Sequence, residues 1–244
     1  MNARLLRVED LAADERRRML ELLERYFEGI VPERFAADLE DKNWALLLED
    51  AAGRLVGFST LLYYHSVQNG ASCDVVYSGD TIVEPAAWGT SLLGPAWLAA
   101  VRRLHRERGG RRLWWLLISS GFRTYRYLPV MWREFYPRHD RCTPPSVQRL
   151  IDRLATERFG SLYEPATGIV RFTAPQSLGC ELEGIPASRL SNPHVRFFAR
   201  VNPGHTRGDE LVCLTEIADG NLTPAGRRMV RRGADCRLDG GNGR

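Results

Sequence analysis

Residues 78–97, "SGDTIVEPAAWGTSLLGPAW", decide how the rest of the chain is read. They continue the apolar and β-branched run "CDVVYSGDTIV" (residues 73–83), which has the character of a strand. From Leu92 onward the pattern is helical, with Leu93, Trp97, Ala100, Val101 and Leu104 on one face. Pro85 and Gly89 mark a tight turn between the two. A strand, a tight turn and a helix N-terminus together present backbone N–H groups that suit a phosphate. Glycine is the usual residue where backbone must touch phosphate, yet Ser91 and Leu93 stand at those points.

Toward the N-terminus, residues 4–8 alternate weakly and predict a short strand. From Asp10 the apolar residues Met19, Leu22, Leu23, Tyr26, Phe27 and Ile30 recur at helical spacing, so a helix is expected to run to Pro32. "PERFAADLED" (32–41) reads as a second, short helix. "WALLLED" and "LVGFSTLLYYHSV", separated by the Gly-containing "AAGR", read as a β-hairpin. Beyond the helix that ends at Gly109-Gly110, "RRLWWLLIS" is a buried strand, and the segment to Pro137 is partly helical around Pro129. The order is therefore strand, two helices, three strands, helix, strand, helix. It predicts an α/β chain with a central mixed sheet flanked by helices, its last strand–helix–strand unit a parallel crossover.

At "CTPPS" (142–146) the character changes. Residues 1–140 are expected to form the core and 141–244 a C-terminal extension, either a lid or a substrate-shaping element. In the extension Ser146 is the expected cap of a helix to Phe159. Thr223-Pro224 opens another helix, and "RLDGGNGR" (237–244) is expected to fray.

Composition narrows the function class. The chain of 244 residues is 44% hydrophobic and 26% charged, with a formal charge of +4, which is ordinary for a globular protein. Its basic charge is almost wholly arginine, and Lys42 is its single lysine. Those arginines alternate with acids along the helices, as on a solvated face, so nucleic acid is not the expected partner. Five scattered cysteines with no CxxC pair fit a reducing compartment and give no zinc-site spacing. His139, His194 and His205 show no metal-ligand spacing either, so no metal is expected. "MNARLLRVED" has no signal-like apolar run, and no segment is long enough to span a membrane. A cytoplasmic location is the expectation. Ser119-Ser120-Gly121 lacks the frame of a hydrolase nucleophile elbow.

The element order, together with "DTIVEPAAWGTSLLGPAWLAAVRRLHRERGGRRLWWLLISSGFRTYRYL", resembles the GNAT superfamily of N-acyltransferases over residues 4–137. In that family a strand ending in V-x-P precedes a Q/R-x-x-G-x-G/A loop whose amides bind the pyrophosphate of acyl-CoA. Val83, Pro85 and Gly89 match that pattern, whereas Trp88, Ser91 and Leu93 replace its Q/R and its two glycines. The resemblance implies a donor-binding segment over Val83, Trp88, Gly89, Thr90, Ser91, Leu92 and Leu93, and a thiolate-protonating tyrosine near Tyr127. It implies acyl-CoA or acyl-phosphopantetheine as co-substrate rather than a permanently bound cofactor. The degenerate loop, with "LLGPAW" as an apolar wall, suits an acyl chain delivered by an acyl carrier protein, which lacks the adenosine diphosphate.

Amide formation from a thioester needs a base, an oxyanion donor and a proton for the leaving sulfur. Asp80 and Glu84 lie four apart on the strand before the loop. In a regular strand they share a face with Ser78 and Ile82, where apolar neighbours would raise a carboxyl pKa. Asp80 is the expected base with Glu84 as its companion, and Tyr127 is preferred to Tyr125 as the acid. Tyr77, His65, Arg123 and Arg126 are the candidate contacts to the amine acceptor or to an anionic partner. The expected activity is acyl transfer from a thioester to a small-molecule amine. A catalytically silent binding or sensor module of the same fold is the alternative, and the oligomeric state is left open.

Overall fold

The computed structural model describes residues 2–68, 71–90, 92–179, 184–234, 236 and 238, with the backbone alone at Gln68, Ala71, Gly89 and Thr90. In chain order the strands and helices are β1 (Asn2–Arg7), α1 (Ala13–Tyr26), β2 (Phe27–Glu28), α2 (Pro32–Glu40), β3 (Trp44–Glu49), β4 (Leu55–Gln68), β5 (Ala71–Val83), α3 (Leu93–Glu107), β6 (Leu113–Ser119), α4 (Phe122–Tyr125), α5 (Tyr127–Met131), α6 (Pro145–Phe159), β7 (Tyr163–Glu164), β8 (Ile169–Val170), β9 (Ser177–Leu178), α7 (Pro193–Val201), β10 (Glu210–Glu216) and α8 (Pro224–Ala234). The contacts divide the chain into two compact units. One comprises Met1–Tyr26, Ile30–Trp114 and Pro224–Arg244, and the other Phe27–Gly29 and Trp115–Thr223. These units cut across the expected boundary at residue 140.

In the first unit the strands follow the order β1-β3-β4-β5, each pair antiparallel. The β3–β4 turn is locked by Asp50, whose Oδ1 accepts the N–H groups of Ala52 and Arg54, while Gly53 takes φ 76°. That is the expected hairpin. The N–H of Asp74, near the start of β5, donates to the carbonyl of Arg112 at 2.9 Å, just before β6. Start beside start is the parallel arrangement that a strand–helix–strand crossover requires. Helix α1 buries Met19, Leu22 and Leu23, and α2 buries Phe35 and Leu39, each at helical spacing. Helix α3 buries Trp97, Ala100, Val101 and Leu104, so its expected face is the one it uses.

The C-terminal helix α8 packs on α3 in this unit. Gly233 makes that approach possible, because a Cβ there would lie 2.5 Å from the Pro95 carbonyl. Leu238 bridges in parallel to Ala3. The remainder of the terminus expected to fray, except Leu238, lies outside the described residues.

In the second unit the order is β6-β10-β8-β7, with β10–β8 and β8–β7 antiparallel. The region after residue 140 therefore supplies sheet strands. Two expectations change. Helix α1 stops at Tyr26 instead of reaching Pro32, because Phe27–Glu28 pairs with β9 and Gly29 turns the chain at φ 78°. A Cβ on Gly29 would meet the Pro175 carbonyl at 2.9 Å. Helix α6 has Pro144 at its N-cap position, without a side-chain cap bond, and Pro145 as its first residue, so Ser146 lies inside it. Proline at the first position has a preset φ and lacks only an N–H that would be unpaired anyway.

Candidate functional site

The register of β4 against β5 slips once. Ser59 pairs with Thr81 and Leu61 with Ser78, so Gly79 and Asp80 together oppose Thr60 alone. This is a β-bulge, and it reverses the alternation along β5. Ser78 now shares a face with Thr81, whose hydroxyl lies 2.8 Å from the Ser59 hydroxyl, and not with Ile82. The expected common face of Ser78, Asp80, Ile82 and Glu84 is thus corrected: an extra residue shifts everything beyond it to the other side.

Asp80 sits half-buried at the bulge and carries no hydrogen bond among the described residues. Burial pushes its carboxyl up to about 6, with Asp38 adding to the rise and Lys42 opposing it. Glu84 is elsewhere engaged. It is buried, and Arg54 grips it bidentately at 2.6 and 2.8 Å, a fork geometry that ties the end of β5 to the hairpin turn. A carboxylate held this way is a structural anchor, not a companion base.

Lys42, whose place in the fold the sequence did not reveal, lies against the bulge. It is 7% exposed, its Nζ donates to the Asp38 carbonyl at 2.8 Å, and its ammonium stands 5.5 Å from the Tyr77 ring centroid. Gly79 makes room for it. A Cβ at Gly79 would come within 2.7 Å of Lys42 Cε and 2.5 Å of Thr60 Oγ1. The Thr60 hydroxyl is buried and has no hydrogen-bond partner among the described residues. A glycine inside an otherwise regular strand was the available signal for both the bulge and the close approach.

Tyr77 is buried beneath Lys42, in the same cluster as Asp80. His65 is not in that cluster. Its Nδ1 lies 3.0 Å from Asp74 Oδ1, whose other oxygen accepts from Tyr63 Oη at 3.0 Å. Asp74 precedes Asp80 by six residues, roughly 20 Å of extended strand.

In the turn after β5, the Trp88 indole donates to the Val83 carbonyl at 2.8 Å while its ring stays 41% exposed. Gly89 and Thr90 complete a 3-10 turn, and Ser91 lies outside the described residues. Leu92 precedes α3 without a side-chain cap bond. Leu93 is buried, as are Pro95, Ala96 and Trp97. The stretch expected to wall an acyl chain is instead part of the protein's own core, because an amphipathic helix must bury its apolar face first.

The second unit holds the remaining candidates. Tyr127 begins α5, and burial raises its phenol, which keeps it protonated at neutral pH. Tyr125 is fully buried and donates to the Pro137 carbonyl at 3.0 Å, so its hydroxyl is already engaged. Arg123 stacks on the Phe122 ring at 4.7 Å, and Arg189 nearby helps lower its pKa after burial. Arg126 links α4 to α5. No group of metal-ligating side chains occurs among the described residues, and none of their helices is long and apolar enough to cross a membrane.

No family model and no curated protein matches the sequence. Solved structures do. A GNAT family N-acetyltransferase from Escherichia coli in complex with CoA is 17% identical over 48% of this chain and 62% of its own length, with a TM-score of 0.37. A Trypanosoma brucei acetyltransferase is 22% identical over 59% of this chain and 99% of its own, with a TM-score of 0.38. A probable N-acyltransferase from Enterococcus faecalis is 13% identical over 90% of this chain and 66% of its own, also at 0.38. By its own element order and strand pairing the chain is a mixed α/β protein, the fold class expected of it.

Proposed function

We propose that the protein is an acyltransferase that moves an acyl group from a thioester on a pantetheine arm to an amine. The observation that carries this reading is the Asp80 carboxyl, half-buried at a strand bulge, without a hydrogen-bond partner among the described residues and raised to about 6. A carboxyl so tuned is ionised at neutral pH yet basic enough to accept a proton from an attacking amine. In the step, the amine nitrogen bonds to the acyl carbon and the C–S bond breaks. Asp80 takes the proton from nitrogen, and the thiolate takes one from an acid. A bulge leaves ladder groups unpaired, and a backbone N–H released there is suited to the developing oxyanion.

The donor is proposed to be acyl-CoA or a carrier-borne acyl-phosphopantetheine. The first turn of α3 would meet the diphosphate of CoA, while a carrier-borne arm makes no such demand. Arg123 and Arg126 are the proposed contacts to an anionic acceptor or carrier.

The test is thiol release by the purified protein from short and long acyl-CoA and from acyl carrier protein, with and without a panel of amines. Amine-dependent release is the expected result, reduced about a hundredfold or more in Asp80→Asn. Absence of amine-dependent release from every thioester would remove the reading.

A further inference from the structure

The sole lysine of the chain is buried where the candidate base stands, and its surroundings are built to hold it there. Its backbone N–H donates to the Leu39 carbonyl at 3.0 Å at the end of α2. The next residue, Asn43, clamps both backbone groups of Tyr63 on β4, at 2.8 Å each. The side chain then crosses Gly79, where a Cβ would lie 2.7 Å from Lys42 Cε and 3.6 Å from its Nζ. Its ammonium ends over the Tyr77 ring, bonded to the Asp38 carbonyl and 3.4 Å from Asp41 Oδ2. The buried hydroxyl of Thr60, without a partner among the described residues, borders the same gap. An exposed lysine would need none of this.

We propose that Lys42 is a positioning residue of the acyl-transfer site: its ammonium, fixed behind the Gly79–Asp80 bulge, holds Asp80 in the ionised form in which it can act as base. This inference rests on the acyltransferase reading for its catalytic meaning, but the charge coupling itself does not. The groups facing the pair are Asp38 from α2, Asp41 after it, and Tyr77 from β5. Burial lowers the Lys42 ammonium, and Asp38 and Asp80 raise it. Removing the lysine charge therefore moves Asp80 further up from about 6. Removing the Asp80 charge moves Lys42 further down.

One lysine gives one signal. In protein labelled with isotopic lysine, the side-chain resonance of Lys42 is read directly by NMR across a pH titration. Asp80→Asn is expected to lower the Lys42 transition by about one pH unit, the scale of a near opposite charge. An unchanged Lys42 titration in Asp80→Asn overturns the proposal whether or not the protein has activity. The second arm is the pH dependence of turnover. Lys42→Met should shift the acidic limb upward by about one unit, and Lys42→Arg, which keeps the charge, should bring it back. Lower turnover in Lys42→Met with the limb unmoved makes Lys42 merely structural and also overturns the proposal. If Lys42→Met does not fold, the wild-type and Asp80→Asn titrations decide. A shifted lysine signal without thioester turnover upholds the coupling and rejects the acyltransferase reading alone.

Discussion

Strand β5 carries two aspartates in opposite circumstances. Asp74, 2% exposed, accepts from the Tyr63 hydroxyl and lies 3.0 Å from His65 Nδ1, and the same hydroxyl lies 3.0 Å from His105 Nδ1 on α3. Asp80, at the bulge, has no hydrogen bond among the described residues and a carboxyl pushed up to about 6. Burial is common to both. Asp74 has its acceptor sites occupied by donors and stiffens the base of the hairpin. At Asp80 the charge is opposed by burial and offset by the Lys42 ammonium, so a proton can come and go near neutral pH. The contrast teaches that a polar group in a sheet becomes chemically useful where the ladder is interrupted, not wherever it is buried.

The contrast breaks most readily in turnover. Asp80→Asn should lower amine-dependent thiol release about a hundredfold or more, while Asp74→Asn leaves turnover per folded molecule near wild type. Equal losses in both variants would mean that the two carboxylates do not differ in kind.

Stability should rank them the other way. Asp74→Ala strands the His65 ring nitrogen and half of the Tyr63 hydroxyl network, at about 1–3 kcal/mol in a denaturant titration. A neutral result would show that the network is dispensable.

Gly79→Ala tests the gap that separates the two halves. The added methyl meets Lys42 Cε and Thr60 Oγ1 inside contact distance, and overpacking of this sort costs about 1–2 kcal/mol. It should also displace Lys42 and move the acidic limb of turnover upward. Wild-type stability with an unmoved limb would show that the gap is not what holds Lys42 in place.

The remaining effect is in the pH dependence of stability. The Asp80 carboxyl is raised in the folded state, so its contribution to stability is full below the unfolded pKa near ~4 and is lost as pH rises through about 6. Asp80→Asn should therefore be more stable than wild type above pH ~7, by about 3 kcal/mol for a rise of roughly two units, the difference vanishing toward pH ~4. A constant difference across that range would mean that Asp80 does not titrate as the buried group described here.

Much of the first unit was legible in the residues. The alternation in 44–67 predicts the β3–β4 hairpin, and the helical spacing from Leu93 to Leu104 predicts the buried face of α3. Asp80 could be singled out because it lies on the strand that leads into a turn and a helix. Glu84 could not be separated from it, since the distinction is the Arg54 fork, and Arg54 lies thirty residues earlier in the hairpin turn. After residue 162, β7, β8 and β9 are two residues each, too short for any periodicity to register, while the seven-residue β10 lies among short Pro-, Gly- and Asn-broken intervals and was not read. Helix α1 was read too long for a related reason. Helical spacing continued through Phe27 and Ile30, but pairing with β9 claimed Phe27–Glu28.

By itself the sequence determined the class of each long element up to β6, the faces that α1, α2 and α3 bury, and the fact that the chain has a single lysine. These follow from local spacing and composition, which no partner can alter. Only the tertiary structure decided which residues of β5 face together, because a bulge exists only relative to the strand opposite and reverses every side chain beyond it. It also decided that Lys42, Tyr77 and Asp80 meet while His65 and Glu84 are held elsewhere. Electrostatic coupling depends on distance through the fold and on lost water, and neither is written in spacing along the chain.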